Sequence, residues 1–150
     1  MIPPLPTHLP LPSEQATLDL AAYIAPLLKP GDIICLYGDL GSGKTFFAKQ
    51  LARELGVQDE VDSPSFVLFK EYHGGRHPLY HLDLYRLKSE KEFHDLGIFE
   101  LLETGITLIE WPELAENLLP HHTLDLRFAF DGVSRSVEVV ASGRLAAYFV

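Results

Sequence analysis

Basic residues are scarce in this chain. Twelve lysines and arginines stand against 21 aspartates and glutamates, for a formal net charge of −9. Affinity for nucleic acid comes mainly from neutralising phosphates, so a chain this acidic is not expected to grip DNA or RNA by itself, though a local basic patch stays compatible with the composition. Cysteine is scarcer still. Cys35 is the only one, which excludes a disulfide within the chain, and in an apolar stretch it reads as a small core residue. No apolar run approaches the length of a membrane span. The first residues lack the basic start of a secretory signal and carry Pro3, Pro4, Pro6, Pro10 and Pro12 instead. These absences predict a soluble cytoplasmic protein with no membrane association. No internal repeat is visible, and the only biased segment is the proline-rich start. What remains is 150 residues, 47% of them hydrophobic, enough for one domain with a real core.

Within that domain one stretch stands out: Gly38-Asp39-Leu40-Gly41-Ser42-Gly43-Lys44-Thr45. It fits the phosphate-binding pattern G-x-x-x-x-G-K-[ST]. Gly38, Gly41 and Gly43 let the loop curl its N–H groups inward, and the start of the following helix adds its own. Lys44 offers a point charge for the outer phosphates. The Thr45 hydroxyl can ligate Mg²⁺, which completes its shell with waters and phosphate oxygens. The flanks agree with this reading. Asp32 to Tyr37 is a short apolar run of the buried parallel-strand type, and Phe47, Leu51 and Leu55 recur at helical spacing before Gly56, a helix terminator. The Asn-Lys-x-Asp pattern that reads guanine is missing, so the expected nucleotide is ATP.

The rest of the chain arranges itself around this loop. Residues 1–12 read as a proline-rich arm and residues 13–150 as the domain. Ser13 is a candidate helix N-cap, followed by an apolar stripe of Leu20, Ala21, Ile24, Leu27 and Leu28 that Pro30-Gly31 stops. Thr17, one turn in, either reaches a bound nucleotide or is an ordinary helix residue. Ser63 to Tyr72 reads as a loop entering a strand, Gly74-Gly75 as a hairpin turn, and His77 to Leu84 as the returning strand. Asp83 ends that strand, where a carboxylate can face Mg²⁺ opposite the P-loop hydroxyl or else cap the next turn. His77 and His81 would lie about 13 Å apart on one face, too far for one metal, and both are read as non-ligands, as is the pair His121-His122. Ser89 caps a short helix from Glu90 to Leu96, with Glu92 in capping-box position. Ile98 to Glu103 reads as a second short helix. Ile106 to Trp111 reads as another buried parallel strand. Ligands in open α/β sheets sit at the carboxyl ends of strands, so Glu110 can place or deprotonate an attacking water and joins Thr45 and Asp83 in the candidate Mg²⁺ set. Trp111 either packs beside the nucleotide or a partner or anchors the core. Glu113 to Leu118 is a short helix. Two alternating stretches around Asp131-Gly132 form a C-terminal hairpin, and the apolar tail from Gly143 docks on the sheet or on another protein. The expected fold is α/β: one P-loop, three-layer domain whose mixed, mainly parallel sheet carries antiparallel hairpins.

Four segments recur together in one known family. The P-loop, Ser63-Pro64-Ser65-Phe66, His81-Leu82-Asp83-Leu84-Tyr85-Arg86 and Glu110-Trp111-Pro112-Glu113 appear in this order, and over roughly residues 13–128 the sequence resembles TsaE, also called YjeE. That is a bacterial ATPase family of the tRNA threonylcarbamoyladenosine pathway. The resemblance implies Mg²⁺-dependent ATP hydrolysis in company with TsaD and TsaB, which transfer a threonylcarbamoyl group to adenosine beside the tRNA anticodon, so that tRNA is met through the complex. It implies that Lys44 and Thr45 bind phosphate and Mg²⁺, that Asp83 helps hold the cation, that Glu110 and Trp111 serve hydrolysis, and that Ser63 to Phe66 form a switch-like loop. Ser65 and Phe46 stand where the family commonly has Thr. The alternatives are a small-molecule P-loop kinase, for which no long basic lid is visible, and a nucleotide-binding module without catalysis.

Overall fold

A computed structural model describes residues 7–39, 41–61, 69–120 and 123–149. Isoleucine and leucine dominate Ile33–Tyr37 (β2) and Ile106–Glu110 (β5), and every residue of both is buried. Such runs have no polar face to offer water and belong in the middle of a sheet covered on both sides. Five further strands flank them: His8–Leu11 (β1), Phe69–Tyr72 (β3), Leu79–Asp83 (β4), Thr123–Phe130 (β6) and Arg135–Ala141 (β7). The sheet runs in the order β1-β7-β6-β2-β5-β4-β3. Its central four strands, β6, β2, β5 and β4, are parallel neighbours. The outer pairings, β1 with β7, β7 with β6 and β3 with β4, are antiparallel.

Side chains alternate across the sheet and feed two cores. On one face Ile34, Leu36, Leu108 and Leu126 join Leu20, Ala21 and Ile24 of Glu14–Ile24 (α1) and Phe47, Ala48 and Leu51 of Lys44–Glu54 (α2). On the other, Ile33, Cys35, Leu82 and Ile109 join Phe93 of Glu90–Asp95 (α3) with Ile98 and Leu102. Helices on both faces of a mixed sheet make the three-layer α/β architecture expected from the sequence. Two caps act as read: the Ser13 hydroxyl accepts from the Ala16 N–H at 3.3 Å, and that of Ser89 from the Glu92 N–H at 3.2 Å.

Several local readings differ. Within the stretch read as an arm, residues 8–11 form edge strand β1, a strand not foreseen there, with Pro10 opposite Ser136. An edge position tolerates proline because its missing N–H costs no internal ladder bond. Helix α1 ends at Ile24, before Leu27 and Leu28. Pro26 cannot donate to the helix ladder, so residues Ala25–Leu27 tighten into a 3₁₀ turn. The helix read at Ile98 to Glu103 is two 3₁₀ turns, Ile98–Glu100 and Leu102–Thr104, and the segment after Trp111 is a 3₁₀ helix over Pro112–Leu118. The tail docks on the sheet's own core, burying Leu145 and Phe149, and the Arg144 guanidinium pairs with the Asp32 carboxylate. No helix among the described residues is long and apolar enough to cross a membrane.

Phe47 is fully buried and packs its ring 5.6 Å from that of Phe128. Phe47→Ala is expected to lower the unfolding free energy by about 3–5 kcal/mol in a urea titration. Burial, helped by nearby Asp125, raises the Cys35 thiol well above its ordinary pKa, so a thiol reagent at neutral pH is expected to modify Cys35 only once the protein is denatured.

Candidate functional site

Parallel strands deliver their last residues to one edge of a sheet, and here that edge carries the polar side chains. Strand β2 runs out at Tyr37 into Gly38 and the P-loop, which ends in α2. Beside it β5 ends at Glu110, opposite Leu36 of β2 and opposite Asp83 of β4. Glu110 and Asp83 share the sheet face that packs on α2, so both carboxylates rise beside the helix start.

The loop is shaped by backbone that only glycine accepts easily. Gly43 is the N-cap of α2 with φ +111, which aims the first amides of the helix at the cleft. Gly38 has φ +137, and a Cβ there would stand 2.7 Å from the Phe128 carbonyl oxygen and 2.7 Å from Ser42 Oγ. Gly38 and Ser42 thus support the loop from behind. Asp39, Gly41, Gly43, Lys44 and Thr45 line a cleft of about 940 Å³. Leu40 lies outside the described residues, as do Ser63 to Phe66 and His121-His122.

Around this loop the cleft gathers Thr17, Asp83, Arg86, Glu110 and Trp111. Thr17 is 7% exposed and turns toward the cleft from α1. The Lys44 ammonium is buried, has no hydrogen-bond partner among the described residues, and sits 3.4 Å above the centre of the Trp111 ring. Its pKa is lowered because burial disfavours the charged form, against the pull of Glu110, Glu113 and Asp83. Trp111 reaches that position through a left-handed backbone, φ +54, the only positive φ at a non-glycine among the described residues. For a bulky residue that conformation costs on the order of 1–3 kcal/mol, a strain that clusters at working sites. Tyr85 packs against Trp111 too, its ring centre 4.8 Å from that of the indole.

Each carboxylate has its own tether. Asp83 Oδ1 accepts from the Tyr85 N–H at 2.9 Å, so it caps the turn after β4 and still borders the cleft. Glu110, only 2% exposed, accepts from the Thr45 hydroxyl at 3.3 Å through Oε1. Its other oxygen, Oε2, lies 2.7 Å from His81 Nε2, and His81 is fully buried. Among the described residues no three His, Cys, Asp or Glu side chains converge on one point. One hydroxyl, two carboxylates and a cradle of amides form a donor set that suits a hard cation sharing its shell with phosphate oxygens.

Two residues of the site escaped the sequence reading. His81 was weighed only against His77, four positions away. The alternation His81-Leu82-Asp83 already puts His81 on the face of Asp83, but its partner Glu110 depends on the register of another strand. Arg135 is the second. Its guanidinium donates to the Gly41 carbonyl at 3.3 Å and lies 4.2 Å above the Phe130 ring. No local pattern in the hairpin marks it.

Comparison with known proteins bears on this cleft. The family model for "Threonylcarbamoyl adenosine biosynthesis protein TsaE" matches residues 11–137. The tRNA threonylcarbamoyladenosine biosynthesis protein TsaE of Bacillus subtilis is 44% identical over 115 residues, 76% of this chain and 72% of that protein. The protein of the same name from Treponema pallidum is 43% identical over 123 residues, 80% of this chain and 90% of that one. A crystal structure of YdiB from Bacillus subtilis is similar with a TM-score of 0.76 and 35% identity, covering 94% of this chain and 87% of that one.

Gly38→Ala places a methyl against the backbone at a positive φ. It is expected to destabilise the fold by at least about 1–2 kcal/mol. Thermal melting measures the effect, and an unchanged melting temperature would contradict this loop geometry.

Proposed function

The chain belongs to the TsaE family, and from that premise we propose that it is a P-loop ATPase serving the biosynthesis of threonylcarbamoyladenosine in tRNA. It binds ATP and Mg²⁺, hydrolyses ATP, and acts with TsaD and TsaB, meeting tRNA through that complex. The observation that supports hydrolysis above all is the convergence of the Lys44 ammonium, the Thr45 hydroxyl and the Asp83 and Glu110 carboxylates on one cleft. Phosphoryl transfer needs positioning and charge neutralisation more than covalent chemistry, and these groups supply both.

The amides of the P-loop and the start of α2 bind the phosphates. Lys44 is already desolvated, so its charge acts at full strength on an anion that reaches it. Thr45 and Asp83 would hold Mg²⁺, which supplies charge neutralisation at the phosphate oxygens when bound. Glu110 orients water for attack and accepts its proton, held between Thr45 and His81 with one oxygen toward each. Trp111 shields Lys44 on its open side. Arg86 lines the same cleft and is the candidate to steady the charge that develops in the transition state. The isolated chain is expected to turn over slowly, since full assembly of such a site commonly awaits a partner.

Phosphate release in the presence of TsaD and TsaB tests this reading. Lys44→Ala should lose nucleotide binding. Asp83→Ala should raise the Mg²⁺ concentration needed for half-maximal rate. Glu110→Gln should lower kcat by about 100-fold or more while ATP affinity stays within a few-fold. Phosphorylation of an added small-molecule acceptor, or fast hydrolysis indifferent to the partners, would overturn it.

A further inference from the structure

In the mechanism above His81 enters only as a contact of Glu110, yet it is the residue on which one oxygen of that carboxylate leans. The imidazole is completely buried on the helix-facing side of β4. Its Nε2 meets Glu110 Oε2 at 2.7 Å, and its Nδ1 has no hydrogen-bond partner among the described residues. The ring's polar contact is therefore spent on Glu110. Glu110 in turn has, among the described residues, one side-chain partner for each oxygen: Thr45 for Oε1 and His81 for Oε2.

This division has a mechanical consequence. The terminal torsion of a glutamate is broad, with no deep staggered well to hold it. Two hydrogen bonds on opposite oxygens hold the carboxylate plane in one orientation. With Thr45 alone, at the longer distance of 3.3 Å, the plane could turn about that single contact, and one buried oxygen would lose its donor. The brace comes from the strand that also carries Asp83, two residues on and on the same face. A single stretch of β4 thus sets both carboxylates.

We infer that His81 is a positioning residue for the hydrolytic reaction, acting through Glu110: its Nε2–H holds the Glu110 carboxylate in the orientation that serves the attacking water. This rests on the ATPase reading given above. It predicts a loss in turnover separate from binding, because His81 does not line the cleft.

The test uses two polar replacements of different reach. In His81→Gln the side-chain amide nitrogen falls near the position of Nε2 and can still donate to Glu110. In His81→Asn it falls near Nδ1 and cannot. With TsaD and TsaB present, His81→Asn should lower kcat by about 10- to 100-fold with KM and ATP affinity within about twofold, and His81→Gln should recover most of that loss. In the Glu110→Gln background His81→Asn should bring no further loss. The emission of Trp111, the chain's one tryptophan and the neighbour of Glu110, gives a readout without nucleotide. It should shift in His81→Asn and return toward wild type in His81→Gln. Equal activity and equal emission in both variants would overturn the inference, as would equal loss in both at matched thermal stability, the mark of a purely structural histidine. If Glu110→Gln stops turnover while His81→Asn does not, the inference alone fails. If Glu110→Gln turns over like wild type, the ATPase reading of Glu110 fails first.

Discussion

The parallel ladder between β2 and β5 is the constraint on which the site depends. Its register sets Leu36 against Glu110, so the strand that launches the P-loop and the strand that ends in the candidate base finish side by side. The adjoining ladder sets Asp83 against Glu110. A slip of one residue in either pairing would send the carboxylates to the opposite face of the sheet, away from α2. The apolar residues that pin this register, Ile34, Leu36 and Leu108 on one side and Ile33, Cys35 and Ile109 on the other, are therefore as much a part of the chemistry as the polar groups they align.

Burial gives those polar groups their force. Lys44, Glu110 and His81 are all largely withdrawn from water, where an unmatched charge is costly and a matched one strong. The protein answers each in a different way. Glu110 is held by two donors, Asp83 is tethered to its own turn, and Lys44 rests on the face of an aromatic ring. Trp111 adopts an unfavourable backbone conformation to provide that face. Strain, desolvation and an ammonium with no hydrogen-bond partner among the described residues occur together at one end of the sheet, while at the other end Asp32 pairs with Arg144 and accepts from the Lys29 N–H.

Much of this was legible in the sequence because it is local. The glycine loop, the strand before it, the helix after it and the two serine caps announce themselves within a few residues. Asp83 and Glu110 were visible as acids at the ends of apolar runs. Features set by pairing between distant segments were not. His81 acquires its meaning from Glu110 and Arg135 from Gly41, and neither partner is near in sequence. Strand β1 was hidden by Pro10 within it and the prolines around it, which argue against a strand anywhere except at an edge, and its edge position is decided by β7. Pro26 carried a local signal for the early end of α1, but the longer apolar stripe through Leu28 outweighed it in the reading.

The central position of β2 also bears on how the molecule assembles. Its Ile33 lies opposite Thr107 on one side and Thr123 on the other. Pairings this remote in the chain form slowly, because a long loop must close before any contact rewards it. During synthesis the whole glycine loop emerges well before either strand that supports it. The cleft must therefore take shape late, only once β5 and β6 have joined β2.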